Sequence, residues 1–354
     1  MKVKLIGAGL FVAVAAVVAW YVFTGQGLPP AQIRGYVGGE KIGFLENEDI
    51  ARILGNRYDL SIDYVRMGSL DMAVAPAGDM DFIFPSSSLA AEVYRENGGS
   101  VRRAGDVFIS PIVIYSWDRV ADALMEQGIV AIDAQGVYLI DMAMLAELVG
   151  QDATWADIGL PELFGAISIF STDPLRSNSG NLMTALVATV LNGGRTVTEA
   201  DVPGLIEPLK DFLDKSGYKE ISSSDLFSQY LRTGMGGRPL VALYENQMIE
   251  FAVQNPREWA QIQDRVRVLY PTPTVFSNHV FIARNDDAAR FLDAMEDSEI
   301  LNIVWERHGF RVGSYGARSL PASMSGVPVK AEITSVIQMP DYAAMNRIMR
   351  LLGE

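Results

Sequence analysis

The sequence contains no cysteine, which excludes disulfides, thiolate metal sites, cysteine nucleophiles and a lipid attached to an N-terminal cysteine. It contains only two histidines, His279 and His308, so a histidine-rich metal site is impossible. We therefore expect no metal and no cofactor. Any binding chemistry has to come from backbone, hydroxyl, amide and carboxylate groups.

Positive charge is also in short supply, because 29 basic residues stand against 43 acidic ones in a chain of 354 residues, a net charge of −14. This balance argues against binding to the phosphate backbone of nucleic acid. A composition of 49% hydrophobic and 20% charged residues excludes a disordered or fibrous chain. Since domains usually have ~100–200 residues, the length indicates two domains or one two-lobed domain.

The N-terminus has one long apolar segment, the nineteen uncharged residues Leu5–Phe23, preceded by Lys2 and Lys4. About 20 apolar residues span a bilayer, and lysines before such a segment hold the N-terminus in the cytoplasm. We predict a single-pass anchor in the cell membrane, with the body on the periplasmic or extracellular side. A cleaved signal peptide is the alternative, although its apolar region is usually only ~7–15 residues long. Without the two lysines the body has 27 basic and 43 acidic residues, a net charge of −16.

The body shows an alternation of strand and helix signals. Strands are predicted over Gln32–Val37, Leu60–Val65 and Asp81–Phe84, each followed by a glycine- or serine-rich turn and a short helix. This order predicts an α/β fold of doubly wound lobes, with parallel strands and helices on both faces. The apolar stretch Val107–Trp117 is interrupted by Pro111, which a strand crossing from one lobe to the other would explain.

These landmarks divide the chain into four parts. Residues 1–31 are predicted to be the membrane anchor and linker, and residues 32–111 the first part of lobe one. Residues 112–271 are predicted to form lobe two. Residues 272–354 are predicted to return to lobe one and to end in C-terminal helices, with Ile333–Glu354 helical at the end.

The strongest local feature is the turn Thr172–Asn181, which lies between a predicted buried strand, Ile167–Ser171, and a strongly periodic helix. Such a turn presents free backbone N–H groups at a helix N-terminus, where a partial positive charge also lies. The place suits an oxyanion or a carboxylate. An ordinary helix cap is the alternative, since serine and asparagine are preferred there.

Several other polar turns lie at the carboxyl ends of predicted strands. They are Gly38–Lys41, Gly68–Ser69, Pro85–Ser88 and Tyr244–Gln247. Open α/β sheets bind ligands at that edge, so convergence of these turns predicts a binding site. Glu40 and Glu245 would favour a cationic or zwitterionic ligand, whereas Lys41 would favour an anion; the sequence leaves both open.

This order of features resembles the type II solute-binding proteins of bacterial ABC transporters. The residues Ser171–Asp173 and Ser177–Gly180 are similar to the oxyanion-gripping turn of the phosphate, sulfate and molybdate binders, and Gly38–Phe44, Gly68–Ser69 and Trp305–Arg311 also look like that superfamily. The resemblance implies two α/β lobes, a two-strand hinge and a ligand held in the cleft as the lobes close. Two departures are the helical anchor in place of free or lipidated forms, and a stretch after residue 319 without a counterpart.

The resemblance and the turns together give the predicted ligand-binding residues. On lobe one they are Gly39, Glu40, Lys41, Gly68, Ser69, Ser86 and Ser87. On lobe two they are Thr172, Asp173, Ser177, Asn178, Ser179, Gly180, Tyr244 and Glu245. The expected partners are a small-molecule ligand, the bilayer through residues 5–23, and an ABC permease or another envelope protein.

Other functions compete with uptake of a solute. A serine hydrolase would need a nucleophile elbow, and no G-x-S-x-G motif occurs. His279 precedes a predicted strand, and His308 at a helix end is expected to face carbonyls or solvent. No spacing points to the paired carboxylates of a glycosidase. We therefore predict a binding protein without enzymatic activity. An anchored envelope receptor or assembly scaffold is the main alternative, and an extracytoplasmic hydrolase the second.

Overall fold

A computed structural model describes residues 29–76, 78–312, 323–324 and 326–354. The predicted membrane anchor over residues 5–23 lies outside the described residues. Within them, no helix combines the length and the apolar character that crossing a membrane requires.

The described strands and helices alternate along the chain. The strands are β1 (Ala31–Val37), β2 (Leu60–Arg66), β3 (Phe82–Phe84), β4 (Arg103–Trp117), β5 (Val130–Ile132), β6 (Tyr138–Asp141), β7 (Val241–Tyr244), β8 (Val266–Thr272), β9 (Phe276–Ala283), β10 (Ser323–Met324) and β11 (Val327–Pro328). The α-helices are α1 (Ile42–Leu45), α2 (Glu48–Tyr58), α3 (Ser69–Val74), α4 (Ser88–Glu96), α5 (Asp118–Glu126), α6 (Met142–Gly150), α7 (Asn178–Leu191), α8 (Val202–Asp214), α9 (Ser223–Gly237), α10 (Glu245–Gln254), α11 (Pro256–Ile262), α12 (Asp286–Ala294), α13 (Ser298–His308) and α14 (Tyr342–Gly353). Two short 3-10 helices cover Gly39–Lys41 and Ala156–Ile158.

Nine of the eleven described strands form one continuous sheet in the order β2-β1-β3-β9-β4-β8-β6-β5, with β7 also paired to β4, and β10 and β11 form a separate antiparallel pair. Strands β1, β2 and β3 are parallel, as the alternation of strands and helices predicts, whereas β9 runs antiparallel to both β3 and β4. The sheet is therefore mixed, because a strand from late in the chain inserts beside the early ones.

Strand β4 lies in the middle of this sheet and links its two halves. Its first part pairs with β9 as far as Pro111, and its second part pairs with β7 and β8 from Ile112 onward. The predicted crossing at Pro111 is where the pairing partner changes. We call residues 29–111 and 276–312 lobe one, and residues 112–275 and 326–354 lobe two. The boundaries predicted at 31, 111 and 271 remain predictions.

The two lobes have different cores. In lobe one, phenylalanine rings from distant parts of the chain stack together, with Phe82 4.8 Å from Phe281 and Phe281 4.4 Å from Phe291 between ring centroids. Each buried phenylalanine contributes roughly 1.5–3 kcal/mol. In lobe two, helix α7 is buried from Asn178 through Thr189, as expected for a helix surrounded by other elements.

Two expectations about secondary structure were wrong. The segment Ile167–Ser171 is largely buried, but it is not a strand and makes only a bridge between Phe170 and Val241. The C-terminal helix begins at Tyr342 rather than near Ile333, because Pro340 interrupts the backbone and the Asp341 carboxylate caps the helix.

The C-terminal segment packs on lobe two. Residues Val327, Val329, Ile337, Met345 and Ile348 belong to the same apolar core as the second part of β4.

Candidate functional site

A cavity of about 450 Å³ lies between the two lobes. From lobe one it is lined by Gly38, Gly39, Glu40, Arg66, Met67, Gly68, Ser69, Asp71 and Ser86. From lobe two it is lined by Arg176, Ser177, Asn178, Ile221, Ser222, Ser223, Asp225 and Tyr244. Most of these residues are polar, and the size falls within the ~300–1,000 Å³ of small-molecule sites.

Helix α7 directs its N-terminus at this cavity. Its N-cap residue Ser177 makes no capping bond; its Oγ lies 3.1 Å from Ser179 Oγ, which in turn lies 2.7 Å from Thr172 Oγ1. In the described part of the chain, the backbone N–H groups of Asn178 and Ser179 have no acceptor. Gly180 is required behind them, since a Cβ there would come within 2.2 Å of the Thr172 carbonyl oxygen. The predicted turn thus places a helix N-terminus with free N–H groups beside the cavity, which Ser177 and Asn178 line.

The Asn178 side chain joins the lobes. Its Nδ2 donates to the Ser86 carbonyl at 2.5 Å and to the Tyr244 hydroxyl at 3.1 Å. Its Oδ1 is buried without a hydrogen-bond partner among the described residues. Burial raises the pKa of Tyr244, and the nearby Glu40 carboxylate adds to this, so the phenol keeps its proton. The hydrogen bond from Asn178 of lobe two to Ser86 of lobe one therefore depends on the closed arrangement of the lobes.

A buried ionic cluster supports the cavity from lobe one. Lys41 is fully buried, and its Nζ donates to Glu40 Oε1 at 2.5 Å and to Ser86 Oγ at 2.7 Å. Burial raises the pKa of Glu40, but the charge and hydrogen bond of Lys41, with a hydrogen bond from Ser86, outweigh it and lower this pKa to about 2. Burial and the Lys41 charge lower the pKa of His279 well below its usual range, so the imidazole is neutral. Lys41 therefore holds Glu40 in place rather than lining the cavity.

Two arginines line the cavity where the lobes meet. Arg66, at the end of β2, donates to Ser222, to Ser224 at 2.8 Å and to Asp225 at 3.2 Å on lobe two. Across the cavity, Arg176 of lobe two lies 3.9 Å from Asp71 of lobe one. These four charged side chains are 43–52% exposed, so they are accessible from solvent.

The site includes residues that sequence reasoning missed. Arg66, Arg176 and the serines at the start of helix α9 were not predicted to bind ligand. A signal was present for each. Arg66 ends a predicted strand two residues before the Gly68 turn, Arg176 lies within the Thr172–Asn181 turn, and Ser222–Ser224 repeats the serine run of residues 86–88.

The predicted site residues divide into two groups. Those that line the cavity are Gly39, Glu40, Gly68, Ser69, Ser86, Ser177, Asn178 and Tyr244. Those that do not line it are Lys41, Ser87, Thr172, Asp173, Ser179, Gly180 and Glu245. In the second group, Ser87 caps helix α4 and Asp173 accepts from the Leu175 N–H at 2.9 Å. Ser87 also borders a second cavity of about 460 Å³ beside the C-terminal segment.

Glu245 is held in a buried ion pair. Arg311 donates to both carboxylate oxygens at 2.7 Å, and the Tyr270 hydroxyl donates to Oε1 at 2.5 Å. Burial opposes the charge on Arg311, but Glu245 outweighs it and raises the pKa of Arg311 above its ordinary value. The bidentate pair ties lobe two to the end of lobe one and leaves Glu245 no free face toward a ligand.

The two histidines are both buried. His279 lies within β9 rather than before it. His308, expected to face carbonyls or solvent, instead places Nδ1 2.6 Å from Glu250 Oε1 and Nε2 3.0 Å from Asn47 Nδ2. Among the described residues, no group of three or more aspartate, glutamate or histidine side chains is arranged to hold a metal ion.

No family model and no curated protein sequence matches this chain. Its structure is similar to a periplasmic thiamin binding protein, with a TM-score of 0.62, 11% identity, and coverage of 92% of this chain and 98% of the other. For iron-bound HitA from Pseudomonas aeruginosa the TM-score is 0.59 at 11% identity, with 92% and 99% covered. For the sulfate-binding protein SubI from Mycobacterium tuberculosis H37Rv it is 0.53 at 14% identity, with 86% and 93% covered.

These similarities extend over nearly the whole of each chain, so they concern the complete two-lobed fold. The chain has the mixed α/β fold of the type II solute-binding proteins of ABC transporters, and the resemblance inferred from its sequence is confirmed for the fold.

Proposed function

We propose that this protein is an extracytoplasmic solute-binding protein that captures a small polar ligand in the cavity between its lobes. The ligand carries an oxyanion or carboxylate group. The lobes follow the predicted division at residues 31, 111 and 271, except that residues 326–354 pack on lobe two and not on lobe one. The segment 5–23 anchors the body to the membrane, and an ABC permease receives the ligand. The proteins with similar structures are binding proteins for thiamin, iron and sulfate, which supports a binding role over an enzymatic one.

One observation carries the proposal. The N-terminus of the fourteen-residue helix α7 opens into a cavity with free backbone N–H groups, and two arginine side chains from opposite lobes line the same cavity. Helix N-termini and guanidinium groups are the donors that proteins use to hold anions. Because the donors come from both lobes, a bound anion stabilises the closed arrangement through contacts that an open one lacks.

The direct test is a thermal-unfolding screen of the full-length chain against oxyanions, carboxylates, amino acids and sugars. A ligand at 100 times its dissociation constant stabilises the fold by about 2.7 kcal/mol. We expect stabilisation by at least one anionic class. Stabilisation by none of the classes would contradict the proposal.

A matched pair of variants locates the binding. Arg176→Gln removes a cavity arginine and should weaken binding of the anion by about tenfold to a hundredfold, since a charged hydrogen bond contributes roughly 1.5–3 kcal/mol. Arg195→Gln is the control, because within the described residues the Arg195 side chain donates only to Asn192, at the exposed end of helix α7. Equal affinity in the two variants would place the ligand elsewhere.

A further inference from the structure

The charges that line the cavity are of both signs. Arg66 and Arg176 supply positive charge, and Glu40, Asp71 and Asp225 supply carboxylates. Lys41 already neutralises Glu40 from behind. The remaining charges form two pairs, and each pair joins an arginine of one lobe to a carboxylate of the other: Arg66 to Asp225 and Arg176 to Asp71.

This pairing limits which ligands fit. An anion that takes Arg66 or Arg176 must compete with Asp225 or Asp71, and it leaves that carboxylate beside a second negative charge. A bare oxyanion has little to offer those carboxylates. A ligand with hydroxyl or ammonium groups beside its anionic group satisfies both members of such a pair. Its anionic group accepts from the arginine, and its hydroxyl or ammonium group donates to the carboxylate.

The size of the cavity leads to the same class of ligand. A tetrahedral oxyanion takes the room of about two or three water molecules at ~30 Å³ each. The cavity, at about 450 Å³, leaves space for several more heavy atoms. The apolar side chains of its lining are Met67, Ile221 and the ring of Tyr244, and the other lining side chains carry hydroxyl, amide or charged groups that can meet those additional atoms.

We propose, resting on the proposed function, that the ligand is a small organic anion that also carries hydrogen-bond donors, a polyhydroxy or zwitterionic molecule, rather than an inorganic oxyanion. Arg66 and Arg176 select its anionic group. Asp71 and Asp225 select its hydroxyl or ammonium groups and discriminate against anions that lack them.

Calorimetric titration of the full-length chain with a graded series of probes tests this inference. The phosphate series is inorganic phosphate, propyl phosphate, 2-aminoethyl phosphate and glycerol 3-phosphate, and the carboxylate series is propionate and glycerate. In at least one series we expect the probe with donors to bind about tenfold tighter than its counterpart without them. Inorganic phosphate binding as tightly as every organic probe would overturn the inference while leaving anion capture intact. Absence of binding by every probe would overturn both.

Variants identify the residues responsible. Asp71→Asn with Asp225→Asn should remove the preference for probes with donors and should strengthen binding of inorganic phosphate, because the carboxylates no longer compete with the anion for Arg66 and Arg176. Glu162→Gln is the matched control, since Glu162 pairs with Arg119 at 2.6 Å on an exposed surface outside the cavity. Melting of each unliganded variant confirms that it folds. A preference retained in the double variant would refute the role of the two carboxylates.

Discussion

Glu40 and Glu245 each lie just after a strand in the sequence, but only Glu40 lines the cavity. Each follows a strand of the same sheet, each is buried, and each pairs with a cation. Glu40 lines the cavity, and its cation, Lys41, lies behind it. Glu245 is enclosed by Arg311 and Tyr270 and does not reach the cavity.

The position of a turn in the fold places its carboxylate near the cavity or away from it. The cation paired with that carboxylate determines whether an oxygen remains free to contact a ligand. Lys41 holds only one oxygen of Glu40, and that oxygen also contacts Ser86. Arg311 takes both oxygens of Glu245 in parallel, which leaves no free direction.

The largest expected effect separates these two pairs by stability. Arg311→Met leaves Glu245, which is 1% exposed, as an unpaired buried charge, and should lower the free energy of unfolding by about 3–5 kcal/mol. Urea denaturation measures this loss. The double variant Arg311→Met with Glu245→Leu should recover most of it, because an apolar pair no longer buries a charge. A single variant as stable as the parent would mean that the ion pair is not structural.

A smaller effect is expected in how the stability contributed by the Glu40–Lys41 pair depends on pH. The pKa of Glu40 is lowered from 4.5 to about 2 in the folded protein, so its contribution to stability is complete above pH 4.5 and is lost as the pH falls toward 2. Unfolding measured across that range should show a loss that Glu40→Gln removes. The control Glu92→Gln, at the edge of the second cavity, should retain it. An unchanged pH profile in Glu40→Gln would show that Lys41 does not hold this carboxylate charged.

The smallest effect concerns ligand affinity at the helix α7 turn. Ser177→Ala removes a hydroxyl that lines the cavity and should weaken binding about two- to tenfold, the range of one hydrogen bond. Ser171→Ala is the control, because its buried Oγ has no partner among the described residues and lies outside the lining. Both variants should unfold at about the parent temperature. Identical affinities would remove Ser177 from the site.

Local signals predicted much of the fold. Glycine and serine after apolar runs located the Gly68–Ser69 and Ser86–Ser88 helix starts, and Pro111 located the strand crossing. These features depend on backbone sterics and capping within a few residues. Eight predicted site residues line the cavity for the same reason, since strand ends converge on one edge of the sheet.

The residues that pair with each buried or cavity-lining charge could not be predicted, because these pairs join distant segments of the chain. Arg311 reaches Glu245 from 66 residues away, and Lys41 is within reach of His279 from 238 residues away. Arg66 is brought against Asp225 only when the lobes are folded together. A single sequence records no such pairing, so the availability of each charged group became visible only in the structure.

The insertion of β9 between β3 and β4 has a consequence for when the protein can fold during its synthesis. Phe82 and Ile83 find their sheet partners at Ala283 and Ile282, and the rings of lobe one close around Phe281 and Phe291. Lobe one therefore cannot complete its core until most of the chain has emerged from the ribosome. Lobe two waits almost as long, because its strand β8 (Val266–Thr272) pairs with both β4 and β6 and is made just before β9. Both lobes therefore depend on strands from residues 266–283, so neither half of the sheet can close until late in synthesis.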